Sequence, residues 1–205
     1  MVLGLDTCLN ACSVAILDGE RVLASGCEVM ARGHQERLAP MAQRVMAEAA
    51  IGFDRLERVG VTVGPGSFTG LRVGIAFAKG LASALGVPAV GVGTLEALAA
   101  AADGLVFAAL DARRDQAYLQ AFEDGQALMA PDVLPFGVAA AQIADIAAGR
   151  SFSIVGSGGP LLAPEARLIP ADGADPVLVA RLAAARDPVP LTPLYLRAPD
   201  ARLPA

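Results

Sequence analysis

The stretch Gly64-Pro65-Gly66-Ser67-Phe68-Thr69-Gly70-Leu71-Arg72 constrains the fold more than any other part of this chain. It follows an apolar run, Val59 to Val63, and opens a long apolar segment that reaches Leu85. Such a sequence reads as strand, tight elbow and helix, the unit from which α/β proteins are built. Gly64, Pro65 and Gly66 supply backbone dihedrals that other residues resist, and Ser67 or Thr69 can accept hydrogen bonds from free amides at the helix start. Two readings of Gly64 to Arg72 stay open: a rigid turn with a capped helix, or a place where unpaired amides receive an anion or a partner's loop. The spacing matches neither the phosphate-binding P-loop, which needs Gly-Lys-Ser/Thr, nor the dinucleotide fingerprint. It also lacks the Gly-x-Ser-x-Gly order of a hydrolase elbow.

The helix expected from about Leu71 to Leu85 carries only two charges, Arg72 and Lys79, which share one line seven residues apart. A helix apolar most of the way round must be covered on more than one side. One side suits a sheet; the other needs a second helix or a partner chain, and Gly74, Ala78 and Ala82 at four-residue steps allow close approach. Before it, Val2 to Leu5, Ala11 to Leu17 and Arg21 to Met30 read as an antiparallel meander, with Asp6 just past the first strand. From His34 to Ala50, Leu38, Met41, Ala42, Val45, Met46 and Ala49 recur at three and four, the pattern of an amphipathic helix.

After Gly86-Val87-Pro88, a strand is expected at Ala89 to Val92 and a short helix capped by Thr94 from there to Ala101. Asp103-Gly104 marks a boundary, giving lobes of residues 1–102 and 103–205. Strands Leu105 to Leu110 and Ala117 to Phe122, a third after Asp124-Gly125, a helix Phe136 to Ala148 and a strand Phe152 to Val155 restart the pattern of the first half. Gly156-Ser157-Gly158-Gly159-Pro160 is a second Gly-rich turn, readable as an ordinary loop or as a cradle for a base or ribose. A last helix spans Asp175 to Arg186, and a Pro-rich tail contains Leu194-Tyr195-Leu196-Arg197.

A net charge of −5, 4% aromatic residues and no Trp argue against the chain holding nucleic acid by itself. Any RNA is expected on another subunit. Cys8, Cys12 and Cys27 lack metal-binding spacing and read as small apolar residues, so neither a disulfide framework nor a metal is expected. His34, the single histidine, sits among Arg32, Gln35 and Glu36 and reads as a solvated helix-start residue. No uninterrupted apolar span suits a membrane, and Asp6 interrupts the one signal-like stretch, which points to the cytoplasm.

Leu5-Asp6-Thr7, Gly33-His34-Gln35 through Leu38-Ala39-Pro40, Val63 to Gly74, Leu110-Asp111-Ala112-Arg113-Arg114 and Pro193-Leu194-Tyr195-Leu196-Arg197 together resemble the TsaB (YeaZ) family. The resemblance spans both halves. It implies two related α/β lobes of the actin-like ATPase and sugar-kinase type, each a mixed sheet with helices. It also implies a non-catalytic partner role in placing threonylcarbamoyl on the adenosine beside the anticodon of ANN-reading tRNAs. The family's partners are TsaD, which carries the transferase site, and the ATPase TsaE, while TsaC makes the activated intermediate. The metal-binding His-x-x-x-His pair of TsaD falls, counted without a gap, on Thr94 and Leu98, and leucine cannot ligate. Kinases of the superfamily place glycines beside Asp6-Thr7-Cys8 and Asp111-Ala112-Arg113, where this chain has none. A vestigial nucleotide site would therefore comprise Asp6, Thr7, Asp111, Gly156 and Gly158, with no cofactor held tightly and ATP or ADP at most at a subunit junction. The resemblance also implies a four-helix surface used by a homodimer and by the TsaD heterodimer, to which Leu38, Met41, Val45, Ile75, Ala78 and Ala82 are assigned. The rival readings are a small ATPase or acid/sugar kinase using Asp6, Thr7 and Asp111 around magnesium–nucleotide, and a peptidase, for which a nucleophile–base set is lacking.

Overall fold

The computed structural model describes residues 1–188 and 191–197. Strands β1 (Val2–Asp6), β2 (Ala11–Asp18) and β3 (Arg21–Val29) form the expected meander. Helix α1 (His34–Glu48), strand β4 (Arg58–Thr62), helix α2 (Phe68–Leu85), strand β5 (Ala89–Val92) and helix α3 (Thr94–Ala99) follow. The second half repeats the plan with β6 (Leu105–Asp111), β7 (Gln116–Glu123), β8 (Gln126–Ala127), β9 (Asp132–Pro135), α4 (Phe136–Ala147), β10 (Ser153–Val155), α5 (Gly159–Leu162), β11 (Arg167–Ile169) and α6 (Pro176–Ala184).

The first sheet runs β3-β2-β1-β4-β5 and the second β8-β7-β6-β10-β11, with β9 pairing β7. In both, the first two strands pair antiparallel and the later two join in parallel. The chain is thus two copies of one topology, as its repeated pattern predicts.

Helices α1 and α2 cover one face of the first sheet, over Leu3, Leu5, Val14, Val59 and Val61. Burying each such aliphatic side chain favours the fold by about 1.5–3 kcal/mol. Helix α2 starts at Phe68, three residues earlier than expected, because Ser67 Oγ accepts the amide of Gly70 at 3.3 Å and caps it. Thr94, expected to cap α3, instead lies inside it after Gly93, its hydroxyl buried with no hydrogen-bond partner among the described residues.

The boundary near Asp103 divides the sheets but not the helices. Helix α3 packs under β6 and β7, whereas α6, from the far end of the chain, lies across β1, β4 and β2 of the first sheet. Two strand glycines make that crossing possible. A Cβ at Gly4 would collide with Pro176 O and stand 2.6 Å from Ala180 N, and one at Gly60 would stand 2.5 Å from Ala183 Cβ. Strand-interior glycine commonly marks such close approach. Lobes cut at 102/103 would therefore leave one face of the first sheet bare.

Among the described residues, α2 is the one helix long and apolar enough to cross a bilayer. Its Leu71, Gly74, Ile75, Ala78 and Ala82 are buried within the first lobe.

Candidate functional site

A cleft of about 490 Å³ opens between the lobes, lined by Asn10, Gly66, Ser67, Asp111, Arg113 and Ser157 among others. The turns that follow the two first strands supply most of its lining, Cys8, Leu9 and Asn10 after β1 and Leu110, Asp111, Ala112 and Arg113 at the end of β6, and the Gly-rich turns after β4 and β10 reach it through Gly66, Ser67 and Ser157. Gly64 and Gly156 hold φ of 104° and 107°, the left-handed region that glycine enters without penalty.

The glycines serve contacts within the chain. A Cβ on Gly66 or Gly70 would overlap the carbonyls of Cys8 or Thr7, and one on Gly74 would reach 2.5 Å from Thr7 Oγ1. Thr7 Oγ1 donates to Gly70 O at 2.7 Å and Ser67 N donates to Cys8 O at 2.6 Å. In the second lobe, a Cβ on Gly156 would come 2.5 Å from Ala109 O and one on Gly158 3.0 Å from Ala109 C, while Gly158 N donates to Ala109 O at 2.9 Å. Glycines and amides that resemble a phosphate cradle are thus already used to weld each elbow to its first strand.

Of the five residues assigned to a vestigial nucleotide site, the structure brings Asp111 to the cleft and buries Asp6 and Thr7 completely beneath it. Asp6 accepts from Cys8 N at 3.0 Å and Ala174 N at 3.0 Å, and from the Thr62 hydroxyl. Burial pushes its carboxyl above the usual range, and these hydrogen bonds oppose the rise. Burial likewise pushes the neighbouring Cys8 thiol up to about 12. Asp111 keeps 28% of its side chain exposed, its Oδ1 accepting from Arg113 N at 2.7 Å, and its own amide donates to Ser157 Oγ at 3.1 Å. Asp6 is fully buried and already accepts three internal donors, so it presents no oxygen to the cleft for a metal–nucleotide, and the residues present do not fit a tightly held one.

The tail braces the elbow. Leu194 N donates to Val63 O at 2.7 Å, and Arg72, stacked 3.6 Å over the Phe68 ring, donates through Nε to Tyr195 Oη at 3.0 Å. Arg197 then reaches the second lobe, donating to Ala112 O at 2.7 Å and to Gln116 Oε1. There it holds a turn in which Arg113, Arg114 and Asp115 all take positive φ, at 63°, 56° and 56°.

Two sequence readings are corrected here. Leu38, Met41, Val45, Ile75, Ala78 and Ala82, assigned to the partner surface, are each 5% exposed or less and belong to the monomer's own core. Helical spacing picks out the apolar stripe, and the stripe faces the sheet. The outward face of α1 is polar, including Gln35, Arg37, Gln43, Arg44 and Glu48, whereas that of α2 exposes Ala76, Gly80 and Ala84 together with Arg72, Lys79 and Ser83, beside half-buried Val73 and Phe77. His34, read as solvated, is buried, and its Nε2 lies 3.2 Å from Leu9 O. Because a carbonyl only accepts, that nitrogen carries the proton. Thr94 and Leu98, where the metal pair was counted, are both buried in α3.

Sequence reading missed Ser157, the Ala174 amide that fixes Asp6, and the strand glycines under α6. Gly4 and Gly60 inside apolar strands were the available signal; nothing local announces Ala174.

Two lobes of one topology facing each other over a cleft define the class of actin-like ATPases and sugar kinases. A fold of this kind is shared, at a TM-score of 0.50 and 15% identity, with the inorganic polyphosphate/ATP-glucomannokinase of Arthrobacter, a likeness of fold alone. Residues 27–151 match the family described as TsaD, tRNA N6-adenosine threonylcarbamoyltransferase. The chain is 35% identical over 98% of its length to an uncharacterized protein of Mycobacterium tuberculosis, covering 93% of it. It is 39% identical to the tRNA threonylcarbamoyladenosine biosynthesis protein TsaB of Haemophilus influenzae over 57% of this chain and 51% of that protein. The structure of YeaZ from Pseudomonas aeruginosa matches with a TM-score of 0.82 and 30% identity, over 95% of this chain and 99% of that one. The chain belongs to the TsaB (YeaZ) family.

Proposed function

We propose that this chain is a non-catalytic partner subunit in the synthesis of threonylcarbamoyladenosine beside the anticodon of ANN-decoding tRNAs. It binds and stabilises the TsaD transferase, allows TsaE to join, forms a homodimer when alone, and meets tRNA only through the complex, in the cytoplasm. The observation that carries this reading is Asp6. The carboxylate that would order metal and phosphate is fully buried and spent on three internal donors. Any ATP or ADP would then sit at a junction with the partner rather than in this chain's own cleft. Names of relatives such as the Haemophilus TsaB supply the pathway.

The partner surface is the outward face of α2, with Ala76, Gly80 and Ala84 at four-residue steps where small side chains let another helix approach closely. The core residues of α1 and α2 hold that face in place.

The test is reconstitution of tRNA modification with TsaC, TsaD and TsaE from the same source, reading threonylcarbamoyladenosine by mass spectrometry. Modification is expected only when this chain is present; equal modification without it rejects the role. Calorimetry of the pure chain with magnesium–ATP separates the kinase reading, since tight binding with turnover would overturn the non-catalytic assignment.

A further inference from the structure

A second cavity, of about 470 Å³, adjoins the cleft through Ala171 and Asp172 and lies between the edge strand β3 and the loop that leads from β11 into α6. Its floor is aliphatic, with Ala97 and Leu98 of α3, Val155 and Ile169. Ser25, Cys27 and Val29 of β3 line it on one side, and Asp172 and Asp175 on the other. Among the described residues its lining contains two carboxylates and no Lys, Arg or His. Cavities of this size with an apolar lining and a few convergent polar groups are the usual form of small-molecule sites.

The wall carrying the carboxylates is fixed before any ligand arrives. Ala174 N donates to the buried Asp6 Oδ2 at 3.0 Å and Ala174 O accepts from Ser13 Oγ at 3.3 Å. Asp175 is held by its Oδ1, which caps α6 by accepting from Val177 N at 2.8 Å. The negative charge reaches across the cavity, for the Cys27 thiol is pushed up by burial and then by Asp6, Asp172 and Asp175.

We propose that this cavity binds a small organic cation, an amine on an apolar body, with the body on the aliphatic floor and the ammonium beside Asp172 and Asp175. Apolar contact supplies attraction for any molecule of that shape, and the unbalanced carboxylates select the cation over its neutral and anionic isosteres. The site is independent of the partner role proposed above, since it uses none of the outward face of α2.

The chain contains no Trp, so an added indole is the dominant emitter when excited at the red edge of its absorption. Tryptamine, its neutral isostere tryptophol and the anion indole-3-propionate are titrated with the full chain by fluorescence anisotropy. Tryptamine should bind about two- to fivefold more tightly than tryptophol, as expected for one partly solvated ion pair, and indole-3-propionate most weakly. Asp172→Asn combined with Asp175→Asn, which keeps a capping side chain on α6, should bring tryptamine and tryptophol to equal affinity. Capping Cys27 with N-ethylmaleimide, Cys8 and Cys12 being buried, should abolish binding while circular dichroism stays unchanged. Equal affinity for amine and alcohol in the native chain, no anisotropy change up to millimolar tryptamine, or a cation preference that survives the double substitution or the thiol cap would each overturn the proposal.

Discussion

The two lobes share a strand order but differ at the same point of the repeat. In the first, the elbow after β4 launches α2, eighteen residues long; in the second, the turn after β10 launches α5, four residues long. Ser67 caps the first by accepting Gly70 N, whereas Gly158 at the start of the second offers no side chain. The first-strand aspartates diverge too, Asp6 being sealed by three donors and Asp111 standing half open on the cleft. One copy of the motif has become a rigid platform for a long helix, and the other has kept an open rim.

That contrast can be broken most forcefully at the aspartates. Asp6→Ala strands three buried donors and should cost about 3–5 kcal/mol in urea unfolding, against under about 1 kcal/mol for Asp111→Ala; similar costs would mean the lobes do not differ as described. Next come the elbow glycines. Gly70→Ala drives a methyl into Thr7 O and should cost about 2–3 kcal/mol. Gly159→Ala meets only the side chains of Ile154 and Leu168, at 3.1 Å, and should cost about 1 kcal/mol or less, since those ends can shift.

The tail gives a smaller effect. Arg197→Ala removes the donors that hold the left-handed turn at 113–115, and about 1–2 kcal/mol of stability should go with them. Hydrogen exchange at Arg114 and Asp115 should rise more than exchange in β1. The smallest effect has the opposite sign. A Cβ on Gly80 meets nothing within 4 Å, so Gly80→Ala should stabilise the isolated chain by about 0.5–1 kcal/mol. Gly80→Arg should stabilise the isolated chain to a similar extent yet abolish co-purification with TsaD, and retained co-purification would remove α2 from the partner surface.

Most strands and the three long helices were legible because their periodicities are strong and their ends are punctuated, as at Asp18-Gly19 and Gly86-Val87-Pro88. The central elbow was legible for the same reason. Which face of α1 and α2 looks outward was misread, because an apolar stripe marks the buried side of a helix without saying what buries it. Leu38 and Ala78 satisfied the pattern and turned out to lie against their own sheet. The short pieces β9, β11 and α5 fell below what four-residue windows can signal. The locking of Asp6 was hidden because its donor Ala174 is 168 positions away and a backbone amide carries no residue signature.

The return of α6 to the first sheet has a consequence for biosynthesis. The helix that covers one face of the first sheet is encoded far downstream of the strands it covers, so a ribosome that has released the first hundred residues has released a sheet with one oily side still wet. Those early strands must wait for a much later helix, and a chain stopped short of it would emerge as bait for chaperones and proteases rather than as a smaller working protein.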